Sequence, residues 1–509
     1  MFRKHPKGLL GAALSNMGER FGFYTMMAIL ALFLSAKFGL SGSKAGIIYS
    51  IFYFSIYALA FIGGIIADKT KKYKGTILVG LILMSIGYFL IAIPTGTPVP
   101  DDKFVLFLTM TCFGLFTIAF GNGLFKGNLQ AVVGQMYDSE KYRGLRDSGF
   151  QWFYMFINVG AVFAPLAAVG VRNWWVGKHG FVYNSDLPKL CHEYIDAGAN
   201  MPGFERFQEL ATASGQGVLS ISDFAHQYLN IFTTGFHYAF AVAIGAMLIS
   251  MIIYLTNKNK FPNPAIKEKA VGTQANEMTI AEIRQRIYAL VAVFAVVIFF
   301  WFSFHQNGLT LTFFARDYTD LSMLSFNIGP VKFAGAEIFQ SVNPFVVVFL
   351  TPIIIAFFGW LRARGIEPST PKKIAIGMFI AAVAFVIMAV GSSQVPSYNE
   401  ITEMGGLPDA MRVTPWLLII TYFILTVAEL FISPLGISFV SKVAPPKYQG
   451  MMQGLWLCAT AIGNQLLFIG AIFYESIPIW ATWTIFVVAC IISMCTMLFM
   501  LKWLERFAK

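Results

Sequence analysis

Residues 9–36 read LLGAALSNMGERFGFYTMMAILALFLSA. The run exceeds the roughly 20 apolar residues that a helix needs to cross a bilayer. Near its middle it carries Glu19 and Arg20 side by side. One charge at the bilayer centre costs about 2.5–3.5 kcal/mol on insertion scales, and such a residue is a functional candidate by default. The rest of the chain repeats the apolar pattern. Similar runs lie near 43–67, 76–93, 104–136, 148–171 and 231–256, and again near 286–312, 337–358, 373–391, 415–440, 449–473 and 478–503. Of 509 residues, 57% are hydrophobic and only 12% charged, and the mean hydropathy is +0.66. A soluble domain carries about 25% charge. Disorder, a coiled coil, a disulfide scaffold and an ordinary soluble enzyme are therefore excluded. The expected class is an all-α membrane protein with twelve transmembrane helices.

The net charge of +11 reads as topology and not as a nucleic-acid footprint. With the N-terminus cytoplasmic, 25 of the 37 basic residues fall on the cytoplasmic side. Clusters at Lys69–Lys74, Lys141–Arg146 and Arg362–Lys373 follow the positive-inside rule. The expectation is a multi-pass protein of a bacterial-type inner (plasma) membrane with both termini cytoplasmic. The basic start and short apolar stretch at the N-terminus resemble a signal peptide, but Glu19 and Arg20 interrupt it and no small-residue cleavage site follows. Helix 1 is expected to be retained. Four of the five cysteines fall in predicted helices, so no disulfide framework is expected.

Six spans, a connector and six more spans divide the chain into an N-terminal bundle over 1–256, a cytoplasmic linker over 257–285 and a C-terminal bundle over 286–509. Two six-helix bundles with a binding site between them are a common transporter design. Residues 172–230, between helices 5 and 6, form an extracytoplasmic insert of mixed polar character. Stretches 187–197, 204–213 and 221–229 are helical candidates there. Cys191-His192-Glu193 looks like a ligand set, but one cysteine beside one histidine does not chelate a metal. A lid or packing insert is the plainer reading, and no metal site is expected.

Few ionisable residues lie deep in the spans: Glu19 and Arg20 in helix 1, Lys126 in helix 4 and Glu429 in helix 10, with His305 in helix 7 as a titratable addition. Buried ion pairs that only staple helices are the competing explanation, although such pairs add little net stability. Their spread over both halves favours function. Tyr24 follows Arg20 by four residues on one helical face, and Tyr53 and Tyr57 are spaced likewise on helix 2. A tyrosine in a span is as often packing as ligand contact. Asn158 and Asn343 weigh more, because a buried amide needs partners.

These residues carry a resemblance that covers nearly the whole chain. Helix 1 is similar to the ExxERFxxY motif of the proton-coupled oligopeptide transporters, a branch of the major facilitator superfamily. Gly63–Asp68 resembles their helix 2 ending, Gly123–Asn128 their helix 4 lysine motif and Phe153–Gly160 their FYxxINxG signature. Gln340–Pro344, Glu429–Pro434 and the stretch around Trp456 continue the match in order.

The resemblance implies the major facilitator fold and a short peptide bound midway between the halves. Arg20 and Lys126, with Tyr24, would face the peptide carboxylate, and Asn158, Asn343 and Glu429 its amino end. Phe23, Tyr57, Tyr154, Ser433 and Trp456 would line side-chain pockets. Glu19, His305 and Glu429 are candidates for proton coupling, and Asp68 for a conformational latch. The implied activity is uptake of di- and tripeptides in symport with protons by alternating access. No cofactor is expected beyond the proton, and a monomer is expected to suffice.

Three departures mark this chain. The family's first motif glutamate is Asn16, its helix 7 glutamate is His305, and a second base seven residues after the motif arginine is Met27. An outer-gate ion pair has thus lost both partners. The alternatives are the same fold carrying another small anion or amino-acid derivative, or peptide transport with altered or absent coupling. No Ser–His–acid or metal-spaced set occurs in the spans, so an enzyme is not expected.

Overall fold

A computed structural model describes residues 4–508 apart from 71, 138, 144–145, 216, 218, 263–278, 330 and 446–448. Most of the linker expected at 257–285 therefore lies outside the described residues. Among the described residues, twelve helices are long and apolar enough to cross a membrane. We number the helices α1 (Leu9–Phe38), α2 (Gly42–Thr70), α3 (Tyr73–Ala92), α4 (Asp101–Gln135), α5 (Arg146–Lys178) and α6 (Ile221–Asn257). The second six are α7 (Ile280–Phe304), α8 (Val342–Ala363), α9 (Thr370–Gly391), α10 (Trp416–Val443), α11 (Gln449–Gln465) and α12 (Ile479–Phe499).

Within the first six, α1 packs on α5 and α6, α3 on α4 and α6, and α2 on α4. Within the second six, α9 packs on α10 and α12, α7 on α11 and α12, and α8 on α10. The two groups meet where α2 lies along α11 and α5 along α8. These two seams exchange under the pseudo-twofold that maps α2 onto α8 and α5 onto α11. Helix α1 is enclosed by protein over most of its length, whereas α2 and α8 leave most of theirs uncovered. Glycine lets helices meet at close range: a Cβ on Gly121 would lie 2.7 Å from the Gly80 carbonyl oxygen, and one on Gly114 3.2 Å from that of Gly87. Such small-residue seams let membrane helices pack backbone to backbone.

Four elements depart from the sequence reading. Helix α6 begins at Ile221, ahead of residue 231, so 221–229 is no separate helix. Ser220 caps it by accepting from the Asp223 N–H, and Phe224, Ala225 and Tyr228 are buried against the insert. Helix α5 runs on to Lys178, past residue 171. The seventh span is broken: α7 ends at Phe304, His305–Gly308 forms a 3₁₀ turn, and Thr310–Asp317 resumes as a helix. Gly308 permits the break, because a Cβ there would lie 2.3 Å from Tyr49 Oη. The eleventh span is interrupted as well, resuming at Leu467–Ser476. The insert forms helices at Leu187–Ala197 and Phe204–Ala213, and a two-stranded hairpin, β1 (Phe326–Ile328) with β2 (Val331–Phe333), lies against α5 from the other half.

Candidate functional site

A cavity of about 330 Å³ lies between the two halves and takes side chains from both. From the first half it receives Arg20, Phe23 and Tyr24 of α1, Tyr53 and Tyr57 of α2, Lys126 of α4, and Tyr154 and Asn158 of α5. The second half contributes Trp301 and His305, Asn343 of α8, Glu429 and Ser433 of α10, and Trp456 of α11. Glu19 stands behind the wall, fully buried. The Asp68 side chain lies outside the described residues.

The charges fall into one closed pair and two open poles. Arg20 donates from Nε to Glu19 Oε2 at 2.5 Å and from Nη2 to Glu19 Oε1 at 2.6 Å. Asn122 Nδ2 on α4 donates to the same Oε1 at 2.7 Å. The guanidinium carbon sits 4.6 Å from the Phe23 ring centre. The Lys126 ammonium lies 4.6 Å over the Tyr57 ring, and among the described residues it has no ion pair. Across the cavity, Glu429 Oε2 accepts from Asn343 Nδ2 at 2.9 Å, and that amide also reaches Thr426 Oγ1 at 2.9 Å. Glu429 likewise has no cationic partner among the described residues. Since Glu19 and Arg20 cancel, the cavity presents one cation and one anion from opposite halves. Among the described residues, Asn158 donates to its own helix, at the Tyr154 carbonyl, 3.2 Å away.

His305 is held at the break in the seventh span. Its Nδ1 lies 2.5 Å from Asn464 Oδ1 on α11, with Trp301 and Tyr53 each 4.9 Å away, ring centre to ring centre. A carbonyl oxygen only accepts, so Nδ1 carries the hydrogen. Trp456 covers Gly436 of α10 so closely that a Cβ there would lie 2.0 Å from its ring.

A set of hydrogen bonds and ion pairs joins the halves toward the face bearing the insert. Arg172 at the end of α5 pairs with Glu337, just before α8, and both are fully buried. Asn173 Nδ2 donates to the Lys332 and Ala334 carbonyls at 2.8 Å each. Arg412 Nη2 reaches Asp186 Oδ2 at 2.7 Å, Lys189 donates to Thr402 Oγ1 at 2.8 Å, and Ser43 donates to Glu475. Burial pushes the Asp186 carboxyl above the ordinary aspartate range, with the Arg412 guanidinium pulling the other way. A second chamber of about 470 Å³ lies beneath these contacts. In the insert, Cys191 is buried and His192 hydrogen-bonds the Ala36 carbonyl at 2.8 Å, so each is used in packing.

Arg172, Glu337, Asp186 and Arg412 were not singled out by sequence reasoning. Each sits at a span end or in a loop, where charge is unremarkable, and the pairing partners are far apart in the chain. The signal closest to them was the missing pair at Met27 and His305: a gate without those charges needs others.

A twelve-helix chain with two pseudo-symmetric halves and a charged cavity on their shared seam is a secondary transporter of the major facilitator fold. Comparison with known proteins narrows this. A family profile described as the POT family matches residues 74–289 and 276–479. The chain belongs to that family. It is 29% identical to the peptide transporter YePEPT of Yersinia enterocolitica, over 91% of this chain and 87% of the relative. It is 26% identical to dipeptide and tripeptide permease A of Escherichia coli, covering 91% and 83%. Among solved structures, the fold matches a peptide transporter POT in complex with sulfate (TM-score 0.72, 23% identity, 99% and 96% covered). It also matches a POT family transporter in complex with 5-aminolevulinic acid (TM-score 0.69, 20% identity, 99% and 97% covered).

Proposed function

We propose that this protein imports di- and tripeptides together with protons by alternating access. The observation that carries the reading is the pair of open poles, Lys126 and Glu429, facing one cavity from opposite halves. A short zwitterion neutralises both at once and draws the halves together around it. In this reading Arg20, Lys126 and Tyr24 receive the carboxylate, and Asn158, Asn343 and Glu429 the amino end. Phe23, Tyr57, Tyr154, Ser433 and Trp456 border the peptide side chains. The cavity of about 330 Å³ falls in the size range of small-molecule sites. The names of the relatives as peptide transporters and permeases support the same substrate class, and a transporter needs no bond-making chemistry.

The face bearing the insert is the outer face, as the basic residues of the opposite face require under the positive-inside rule. The outer gate is then closed by these contacts. Protonation of Glu19, Glu429 or His305 couples the cycle to the membrane potential, which supplies about 2.3 kcal/mol per charge per 100 mV. Asp68 and the basic residues after it hold the cytoplasmic loops when the inner gate closes. The whole cavity is built by one chain, so one chain is the transport unit.

The test is uptake of di-alanine into proteoliposomes, with and without an acid-outside pH gradient. Accumulation driven by the gradient is expected. No uptake under either condition overturns the peptide assignment, and uptake indifferent to the gradient overturns the coupling.

A further inference from the structure

Beside Glu19, one buried hydrogen-bond acceptor, Asn122 Oδ1, has no donor among the described residues. The carboxylate is saturated on its visible side by two bonds from Arg20 and one from Asn122 Nδ2. Asn122 is fully buried, yet its Oδ1 has no partner among the described residues. Tyr88 on α3 is also fully buried with an unpartnered hydroxyl, and it lies within electrostatic reach of both Glu19 and Arg20. A buried acceptor left empty costs about 1–3 kcal/mol, and a state that supplies a donor to it recovers that cost. A single added hydrogen on Glu19 does so.

We propose that Asn122 is a positioning residue for proton coupling, serving both protonation states of Glu19 and thereby controlling Arg20. With Glu19 ionised, the amide donates and the carboxylate holds the guanidinium. When a proton from the outer solution binds a Glu19 oxygen, the carboxylate becomes a neutral acid with one O–H. The Asn122 amide turns about its last torsion, and Oδ1 accepts that O–H. The Nδ2 hydrogens then face the space occupied by the amide oxygen before. The two Arg20 bonds lose their ionic character, and Nε–H and Nη2–H are released toward the peptide carboxylate in the cavity. Departure of the proton to the cytoplasm reverses each step. An amide suits this post because it carries a donor and an acceptor on one rigid group. Aspartate would add a second charge, and leucine would offer neither.

The charged and titratable groups around Glu19 are Arg20 and Tyr24 on α1, Tyr57 on α2, Tyr88 on α3 and Lys126 on α4, with Glu429 beyond Tyr24. Asn122 touches the carboxylate directly and is neutral at every pH. It alters the proton's hold without adding a charge. The inference rests on the reading of the chain as a proton-coupled carrier, and the test separates the two.

The purified protein in lipid nanodiscs is titrated by infrared difference spectroscopy, and the carboxylic-acid C=O band that Glu19→Gln abolishes is followed. In Asn122→Leu that band is expected at higher wavenumber, as for an acid whose O–H has lost its acceptor. Asn122→Ser, which keeps a hydroxyl able to donate and accept, is expected between the two and covers the case in which the leucine variant does not fold. In proteoliposomes, Asn122→Leu is expected to shift the pH profile of di-alanine uptake upward by about one unit, since the ionised carboxylate has lost one charge-assisted donor. Maximal rate should fall severalfold with KM little changed, because the peptide contacts themselves remain. An unmoved band, or uptake reduced equally at every pH, overturns the proposal and leaves Asn122 a packing residue. Failure of the unsubstituted protein to take up di-alanine overturns the peptide reading alone, since the infrared titration needs no substrate.

Discussion

At the scale of single residues, the decisive feature is that Lys126 and Glu429 are half-buried charges on the cavity wall without ionic partners among the described residues. Such groups in a membrane protein face a cavity or the bundle interior and mark substrate or ion pathways. A hydrogen bond to a charged group is worth about 1.5–3 kcal/mol, or roughly ten- to a hundredfold in affinity. Lys126→Gln and Glu429→Gln are therefore each expected to raise the KM for di-alanine by at least about tenfold, with the fold retained. Uptake at the unsubstituted level by either variant would make that residue structural. These two positions, with Arg20, were legible in the sequence because a charge inside an apolar run cannot be overlooked. Asn122 was not legible. An amide among glycines on α4 carries no signal until the glycine seam with α3 and the crossing of α1 set it 2.7 Å from Glu19.

Among the elements, the insert between α5 and α6 has a structural task that its composition did not reveal. Its helices pack on the extended start of α6, and its edge grips the loops between α9 and α10 through Asp186–Arg412 and Lys189–Thr402. Gly203 and Gly405 meet so closely that a Cβ on the former would lie 2.4 Å from the latter's Cα. Breaking a buried ion pair by removing one partner typically costs about 3–5 kcal/mol. Asp186→Ala should therefore lower the thermal midpoint markedly, whereas Asp186→Asn keeps a hydrogen bond to Arg412 and should lower it less. The pH dependence has a definite sign. The folded-state carboxyl of Asp186 is raised, so the folded protein holds this proton more tightly than the unfolded chain. The contribution of Asp186 to stability then falls as pH rises from about 4, through the window between its unfolded and folded values. Thermal melts should show the unsubstituted protein losing ground to Asp186→Asn across that window. A difference constant with pH would contradict it. The two helical stretches 187–197 and 204–213 were readable from the sequence. That 221–229 continues into α6 was not, because its apolar residues face the insert and not the lipid.

For the molecule as a whole, the closed outer face rests on Arg172 and Glu337, a fully buried pair across the halves. Arg172→Met leaves a buried carboxylate unpaired and should favour the state in which the halves part on that side. Each 1.4 kcal/mol shifts such an equilibrium tenfold. Labelling of a cysteine substituted for Ser35, which lines the chamber beneath the gate, should rise severalfold in Arg172→Met and return toward the parent level when Arg172→Glu is combined with Glu337→Arg. Labelling that ignores both changes would assign closure to the insert alone. Twelve spans, their order and the identity of the charged residues inside them follow from the chain directly. Hydropathy acts locally, and each apolar run of sufficient length must form its own helix in lipid to satisfy its backbone. The pairings do not follow in this way. Which acid meets Arg172 depends on how α5 seats on α8, whereas Asn122 reaching Glu19 and His305 turning to Asn464 at a break in its helix depend on packing within each half. Those contacts join residues more than a hundred positions apart, where the energy of one side chain is set by geometry that no local pattern of residues encodes.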